Sequence, residues 1–289
     1  MMQNLAWIDG TVVELSSAKV SLEDRAYLLG DGVYEVIRYY DRCLFYIDAH
    51  LDRLQNSARA IRLMLPYRRA EMIAAADDLI AKSGYDNGYL YLQVTRGSAK
   101  RDHLFPEEST PSMIMYVREM PPLTPLEQVK PLHLITLPDE RWLNCHIKTV
   151  NLLPNLLARQ KAFESGAAEA ILYRPDGVVT EGTRSNFFAV IDRVVRTHPA
   201  TNLILPGISR QIVLDILVEK KISYQEEALT LEELQKATEV WVTSTNMEVN
   251  PARSIDSLIL PAPVPGPVCL IMMKEFRSRI AASCNRNEH

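Results

Sequence analysis

Apolar residues in the first part of the chain follow patterns typical of strands and of one helix. The runs 89–95 and 113–117 are aromatic and β-branched, so they predict two strands. Apolar residues spaced three or four apart predict a helix beginning near Asp48, a candidate N-cap, with Arg53 on the flank of the apolar stripe. The residues of that apolar stripe are Leu51, Leu54, Ala58 and Ile61.

The later part of the chain alternates strand and helix patterns. Strands are predicted at 170–173, 186–191 and 240–243, and helices near 154–165, 208–220 and 268–283. No repeat of fixed period accompanies them. The expected fold class is therefore mixed α and β in both halves.

A proline-rich segment divides the chain. Residues 119–131 hold four prolines in thirteen positions, which disfavours helix and central strand and predicts an extended linker. At 289 residues the chain is long enough for two domains, which we place at 1–118 and 132–289. A second proline cluster at 261–267 predicts a loop before the last helix.

Composition is typical of a folded enzyme or binding protein outside membranes. The chain is 47% hydrophobic and 24% charged, and its net charge of -4 argues against nucleic acid as a partner. Neither a leader-like start nor an apolar run of membrane-spanning length is present, so no membrane partner is expected. Four dispersed cysteines indicate a reducing compartment, and we expect a cytoplasmic protein.

Several common chemistries lack their motifs. The sequence contains neither a Gly-rich dinucleotide fingerprint nor a P-loop, and it also lacks a nucleophile elbow and an HExxH helix. The histidines show no ligand-like clustering, so we expect no metal site.

Lys148 is the leading candidate for covalent chemistry. It lies in the segment 141–154, where a strand-like run gives way to a predicted helix. A lysine with a lowered pKa in such a place forms Schiff bases with carbonyl cofactors. An ordinary exposed lysine is the commoner alternative.

Two polar segments of the first half are candidates for substrate binding. Tyr34 follows the turn-like run 30–32, and a core or interface tyrosine is its structural alternative. Arg101 and His103 are two residues apart, so in an extended segment both side chains face one carboxylate. A solvated basic loop is equally compatible with this pair.

Three polar segments of the second half are candidates for binding an anionic heteroaromatic cofactor. Glu181 can pair with a protonated ring nitrogen or lie solvated in a turn. The N–H groups of Ile208 and Ser209 at a helix start suit a phosphate, although Ser209 can also be a cap. Thr245, with its polar neighbours 244 and 246, can complete a phosphate site or end a strand.

An amine, a carboxylate for a ring nitrogen and a phosphate site are what pyridoxal 5'-phosphate requires of a protein. The chain resembles the fold-type IV pyridoxal-phosphate enzymes, and within them the D-amino acid transaminases, at 24–27, 141–143, 197–200 and 242–245. The resemblance implies a small N-terminal α/β domain, a larger C-terminal pseudo-barrel domain and a site between them. It also implies a homodimer.

The resemblance assigns roles to the candidate residues. Lys148 binds the cofactor covalently and moves a proton between substrate and cofactor. Glu181 pairs with the ring nitrogen. The phosphate contacts fall on Arg53, Ile208, Ser209 and Thr245. The substrate α-carboxylate is bound by Tyr34, Arg101 and His103, with the last two supplied by the partner subunit.

The Arg101/His103 pair selects among relatives. A carboxylate held on that side turns the Cα hydrogen toward Lys148 only in a D-amino acid. We therefore expect ping-pong transamination between a D-amino acid, such as D-alanine or D-glutamate, and a 2-oxo acid. Arg184 departs from the small polar residue of closer relatives, and it is compatible with binding diacids, competing for the carboxylate or pointing outward.

Two other interpretations stay open. The same fold and cofactor serve L-branched-chain amino acid transaminases, (R)-amine transaminases and aminodeoxychorismate lyases. The second interpretation is a binding or scaffold protein without a cofactor, because each polar segment also has a purely structural explanation.

Overall fold

The computed structural model describes residues 4–284 and divides into two compact units. Within the described residues, the first unit comprises 4–123, 147–151 and 282–284, and the second comprises Thr124–His146 and Leu152–Ala281. Lys148 therefore belongs to the first unit, although it follows the proline-rich segment in the chain. Both units combine helices and strands, as the sequence patterns predict.

The first unit is built on a six-stranded antiparallel sheet in the order β2-β1-β6-β5-β3-β4. Its strands are β1 Leu5–Ile8, β2 Thr11–Glu14, β3 Gly32–Tyr40, β4 Cys43–Leu44, β5 Gly88–Thr95 and β6 Ser112–Glu119. Its helices are α1 Arg25–Leu29, α2 Ile47–Ala60 and α3 Arg69–Ser83, with a short 3-10 turn at Leu15–Ser17.

One face of this sheet packs against α2 and α3. Leu90, Leu92 and Val94 alternate along β5 and are buried in the core, which is the period-two pattern of a half-buried strand. From α2, the core receives Leu51 and Leu54, as their spacing predicts.

The predicted start of α2 was wrong by two residues. Tyr46 is the N-cap, with a left-handed backbone at φ 55° and no side-chain cap, and Asp48 lies in the first helical turn. A carboxylate in that turn is still favourable because it faces the positive end of the helix dipole. Asp48 also accepts a hydrogen bond from Arg69.

The second unit contains a nine-stranded mixed sheet with the order β12-β11-β10-β13-β14-β7-β8-β9, in which β15 pairs with β14. Its strands are β7 Leu132–Pro138, β8 Glu169–Tyr173, β9 Val179–Gly182, β10 Asn186–Ile191, β11 Val194–Thr197, β12 Tyr224–Glu226, β13 Glu239–Ser244, β14 Glu248–Ile255 and β15 Leu258–Ile259. The helices that begin in this unit are α4 Leu153–Glu164, α5 Ile208–Glu219, α6 Leu231–Leu234 and α7 Pro267–Cys284.

This sheet curls on itself. β9, at one end of the strand order, contacts β10 near the other end, which is the geometry of a pseudo-barrel. All six residues of β10 are buried, so it is a central strand. Phe188 of β10 stacks on Trp241 of β13 with ring centroids 5.5 Å apart.

Two connecting segments differ from the sequence prediction. Residues 141–148 form bends and turns, not a strand, because Arg141 turns inward to pair with buried carboxylates. The proline-rich segment contains one 3-10 turn at Leu126–Gln128 within otherwise irregular chain. The 261–267 cluster is a loop as predicted, up to the first residue of α7.

Truncating Leu54 to alanine is expected to lower the free energy of unfolding by about 2–5 kcal/mol, because this fully buried side chain leaves a cavity. Urea denaturation of Leu54→Ala measures the change. Met64→Ala is the control, since Met64 is 78% exposed and its truncation should change stability by less than about 0.5 kcal/mol. Equal effects of the two substitutions would contradict the described core.

Candidate functional site

The segment around Lys148 is attached edge to edge to the start of β3. Tyr34 N–H donates to the Lys148 carbonyl at 3.0 Å, and Val150 N–H donates to the Gly32 carbonyl at 3.2 Å. Lys148 N–H donates to the Ser57 hydroxyl of α2 at 3.1 Å. These three bonds fix the backbone of the lysine against both a strand and a helix.

The Lys148 amine faces an aromatic ring. Its Nζ lies 4.2 Å from the centroid of Tyr34, within the range of a cation–π contact. Tyr34 is in turn stacked on Tyr91 of the neighbouring strand, with ring centroids 5.6 Å apart. Two of the predicted site residues, Lys148 and Tyr34, therefore come together within the first unit.

A buried ion pair lies next along β3. The Glu35 carboxylate is fully buried and accepts from Arg53 Nε at 2.7 Å and Arg53 Nη2 at 2.8 Å. His50 Nδ1 lies 2.8 Å from the same carboxylate. Burial alone would raise the pKa of Glu35, but the charges and hydrogen bonds of Arg53 and His50 together outweigh it and hold that pKa well below its ordinary value.

Arg53 lies beside the apolar stripe of α2, and its side chain is buried. Arg53 is buried because Glu35 supplies a bidentate partner, and an arginine inside a protein requires such pairing. Sequence reasoning missed Glu35 and His50. The available signal was the spacing of His50 and Arg53, which places both on one face of α2.

Arg101 and His103 lie in the loop between β5 and β6. Both side chains are exposed, and the local chain bends where an extended segment was expected. The alternation argument for their convergence therefore does not hold for this loop. Neither Arg101 nor His103 is among the residues that contact Lys148 or Tyr34 in the described hydrogen bonds and ring contacts.

In the second unit, Glu181 is the most completely hydrogen-bonded of the candidates. Its carboxylate accepts from Arg141 Nη1 at 2.6 Å, from Asn186 Nδ2 at 2.8 Å and from Leu205 N–H at 3.0 Å. Burial raises the pKa of Glu181 to about 7, and the charge of Arg141 limits the rise. The alternative of a solvated turn glutamate is excluded, because only 4% of Glu181 is exposed.

Arg141 connects Glu181 to a second buried carboxylate. Arg141 donates through Nε and Nη2 to Asp139 at 2.9 Å each, and the Thr180 hydroxyl donates to Asp139 at 2.8 Å. Burial opposes ionisation of Asp139, but the hydrogen bonds and charge of Arg141, with smaller contributions from Thr180 and Arg174, together outweigh it and lower the pKa of Asp139. Asp139 was missed by sequence reasoning, since nothing near it in the chain marks it as buried.

The start of α5 is linked to Glu181 by Asn186. Gly207 is the N-cap of α5 and has no side chain to cap with, so the alternative of Ser209 as a cap was wrong. A Cβ added at Gly207 would overlap the Asn186 Oδ1, and Asn186 Nδ2 donates to Glu181. Ile208 and Ser209 are the first two residues of α5. Their N–H groups therefore have no hydrogen-bond partner within the helix.

Thr245 lies in the tight turn between β13 and β14 and is half-buried. In the sheet, Thr243 pairs with Asn186, so Thr245 follows that pair by two residues. Glu181, Asn186, the start of α5 and the Thr245 turn are thus connected within the second unit.

Arg184 is exposed between two buried stretches. On either side of it, the Thr183 and Ser185 hydroxyls donate to the buried carboxylate of Glu169 at 2.5 Å and 3.0 Å. These two anchors turn the flanking residues inward and leave Arg184 at the tip of the turn. No hydrogen bond or ion pair involves Arg184 within residues 4–284.

Two further kinds of feature are absent from the part of the chain that the structure describes. Across residues 4–284, no group of three or more His, Cys, Asp or Glu side chains is arranged to hold a metal ion. Over the same range, no helix is both long enough and apolar enough to cross a membrane.

Comparison with known proteins places these features in a family. The model of the family "Amino-transferase class IV" matches residues 32–255. A D-alanine aminotransferase of Bacillus licheniformis is 45% identical over 261 residues, covering 90% of this chain and 91% of the relative.

Solved structures share the fold along nearly the whole chain. The branched-chain amino acid aminotransferase from Escherichia coli superposes with a TM-score of 0.88 at 27% identity, covering 96% of this chain and 94% of that one. A branched-chain amino acid aminotransferase from Thermobaculum terrenum, solved in its PLP-form, gives a TM-score of 0.86 at 25% identity, covering 98% and 95%. The fold-type IV expectation is confirmed, and the chain belongs to the class IV aminotransferases.

Proposed function

We propose that this protein is a pyridoxal-phosphate-dependent transaminase that exchanges an amino group between a D-amino acid and a 2-oxo acid by a ping-pong cycle. The observation that carries the proposal is the Lys148 amine, held by backbone hydrogen bonds opposite the Tyr34 ring at 4.2 Å. The name of the Bacillus licheniformis relative supports the D-amino acid substrate, with D-alanine as the first candidate.

The second unit fits the cofactor in two places. Glu181 is a buried carboxylate whose surroundings suit a protonated ring nitrogen, because a nearby cation offsets the cost of its buried charge. The first turn of α5, where Gly207 permits the close backbone approach, suits a phosphate at Ile208 and Ser209. Thr245 supplies a hydroxyl for the same phosphate.

Arg53 is assigned to the phosphate through the family resemblance. Its ion pair with Glu35 holds the guanidinium through Nε and Nη2, so Glu35 would orient Arg53 for this role. Bound pyridoxal phosphate supplies an aldehyde that condenses with amines and a ring that takes up the electron pair from Cα.

Lys148 performs the proton transfer in this proposal. Its amine takes the proton from the substrate Cα and returns it to the cofactor side, which requires a fixed position within hydrogen-bond reach. The bonds to Tyr34, Gly32 and Ser57 fix the backbone for this task. The flanking Tyr34 ring limits the directions in which the amine can swing.

The preference for the D or L configuration of the substrate depends on where its carboxylate is held. We assign that carboxylate to Tyr34, Arg101 and His103, of which Arg101 offers a bidentate guanidinium. With the carboxylate on this side, the Cα hydrogen points to Lys148 only when the substrate has the D configuration. Arg101 and His103 serve the neighbouring subunit's site.

A second candidate function is transamination of L-branched-chain amino acids. The solved structures named for that activity support it, since they share the fold with TM-scores of 0.86 and 0.88. Their sequence identities of 25% and 27% are lower than the 45% of the D-alanine aminotransferase, which favours the first candidate.

The surface of α4 supports a homodimer. Its large apolar residues point outward and are each at least 60% exposed, while the small Ala162 faces the core. Contiguous exposed apolar residues of this kind mark an interaction surface, and a second copy is the occupant we propose. The exposed residues are Leu153, Leu156, Leu157 and Phe163.

We also propose that the protein resides in the cytoplasm. All four cysteines are free thiols, which is the state that a reducing compartment maintains.

The substrate proposal is tested by a single-turnover panel. Purified enzyme loaded with pyridoxal phosphate should lose its yellow colour with D-alanine and release one pyruvate per site, because only the D isomer presents its Cα hydrogen to Lys148. L-Leucine should leave the colour unchanged. Colour loss with L-leucine but not D-alanine would establish the branched-chain alternative.

The same preparation tests the role of Lys148. Lys148→Ala should retain no cofactor after borohydride reduction and denaturation, because the amine that reduction would trap is gone. Wild-type protein treated in parallel is the control. Retention of covalent cofactor by Lys148→Ala would reject the assignment.

Cofactor affinity is expected to depend on the ionisation of Glu181. With a pKa of about 7, this carboxyl must lose a proton before it pairs with the ring nitrogen, so affinity falls by up to about tenfold per unit as pH drops below 7. Titration by fluorescence quenching should give this slope for wild type relative to Glu181→Gln, which has no such proton. Parallel pH profiles of the two proteins would contradict the pairing.

The dimer proposal is tested by a charge placed on α4. Leu156→Glu should shift the protein from dimer to monomer in gel filtration with light scattering, because the charge would be buried at the interface. Val218→Glu is the matched control, since Val218 is 58% exposed on a different helix and should leave the dimer intact. A Leu156→Glu protein that remains dimeric would exclude this face.

A further inference from the structure

We infer that Arg25, Asp31 and Arg96 form a positioning cluster for the loop that carries Arg101 and His103. The inference rests on the proposed function, because it gives the loop its task of holding the substrate carboxylate. None of the three residues is assigned to substrate or cofactor. Their role is to hold the loop, here defined as residues 97–110.

Asp31 is the centre of the cluster. Its Oδ2 accepts from Arg25 Nε and from Arg96 Nε at 2.8 Å each, and its Oδ1 accepts from Arg96 Nη2 at 3.0 Å. The Asp31 side chain is 10% exposed, and both guanidinium groups are buried. One carboxylate therefore fixes two arginines in a site shielded from water.

Each arginine extends from Asp31 to a different point of the loop. Arg25 Nη1 donates to the carbonyl of Asp102 at 2.9 Å, and Asp102 is the residue between Arg101 and His103. The Arg96 guanidinium stacks on the ring of Phe105 at 3.8 Å from its centroid. The two contacts hold the chain on both sides of His103.

The base of the loop is closed independently. Gly97 has a φ of 89°, and a Cβ at this position would overlap the carbonyl oxygen of Thr110. Ala99 N–H donates to the Glu23 carbonyl at 3.2 Å, and Arg25 N–H donates to the Gly97 carbonyl at 3.0 Å. The base thus positions the ends of the loop, and the two arginines position its middle.

The contacts that hold the loop do not involve the side chains of Arg101 and His103. The loop is held through the Asp102 backbone and the Phe105 ring, while the Arg101 and His103 side chains are exposed. Side chains presented in this way lose less entropy when they bind a carboxylate, because the backbone beneath them is already ordered.

The cluster also couples the loop to Tyr34, which the same subunit contributes to its own proposed carboxylate site. Asp31 precedes Tyr34 by three residues, and Arg96 N–H donates to the Asp31 carbonyl at 3.2 Å. The strand that carries Tyr34 and the loop that carries Arg101 therefore share one anchor. A disturbance at Asp31 would move both.

Limited proteolysis tests the positioning directly, without reference to activity. The loop contains two tryptic sites, Lys100 and Arg101, and cleavage there requires the loop to leave its anchors. In loaded enzyme, Arg25→Met should speed cleavage after these residues by about tenfold or more. Arg68→Met is the matched control, because Arg68 is an exposed arginine whose side chain pairs with Glu71, outside the loop, and it should leave the cleavage rate unchanged.

Kinetics separate positioning from a general structural effect. Arg25→Met should raise KM for D-alanine by about tenfold and change kcat less, since it displaces the groups that bind the carboxylate. The increase should disappear when the substitution is made in the Arg101→Ala/His103→Ala background. Arg25→Lys, which retains a donor, should restore part of the KM.

The outcomes distinguish this inference from the proposed function. Unchanged tryptic cleavage in Arg25→Met, or an equal rise in KM in both backgrounds, would overturn the inference. Faster cleavage with a KM unaffected by Arg101→Ala would uphold the positioning cluster and reject the carboxylate role of the loop. If Arg25→Met does not fold, Phe105→Leu decides, because it removes the exposed ring under Arg96: faster cleavage upholds the cluster and unchanged cleavage overturns it.

Discussion

A carboxylate removed from water has to be paired or fully hydrogen-bonded, and this constraint organises the functional segments of the protein. Glu35 is paired with Arg53, Asp31 with Arg25 and Arg96, and Glu181 with Arg141. In each case the bonded partner lies near a proposed binding residue or is one. The charged clusters therefore hold the proposed binding residues in position.

The constraint acts on the first unit through two clusters along one strand. Asp31 precedes β3 and Glu35 lies within it, so the strand that carries Tyr34 is held on both sides by ion pairs. Lys148 is attached to the same strand by backbone hydrogen bonds. Such preorganisation suits proton transfer, because the reacting groups need little rearrangement when substrate arrives.

In the second unit the clusters centre on one arginine and one amide. Arg141 bridges Asp139 and Glu181, and Asn186 bridges Glu181 to the backbone beside α5. Removing one member would leave a buried charge without its partner, which is far more costly than losing an exposed ion pair. The site for a ring nitrogen and the site for a phosphate are thus parts of a single hydrogen-bonded framework.

The sequence by itself determined the elements and the family. The β10 strand was predicted at its observed bounds, and α2 was predicted by its apolar stripe, because local periodicity reports which face is buried. The class IV aminotransferase resemblance is carried by short contiguous runs, at 24–27, 141–143, 197–200 and 242–245. Only the tertiary structure decided which charges are paired. Glu35 and Arg53 are 18 residues apart, and Arg141 and Glu181 are 40 apart, so no local pattern could match them. Ion pairing depends on distance in space and on exclusion of water, and both arise only when the chain is folded.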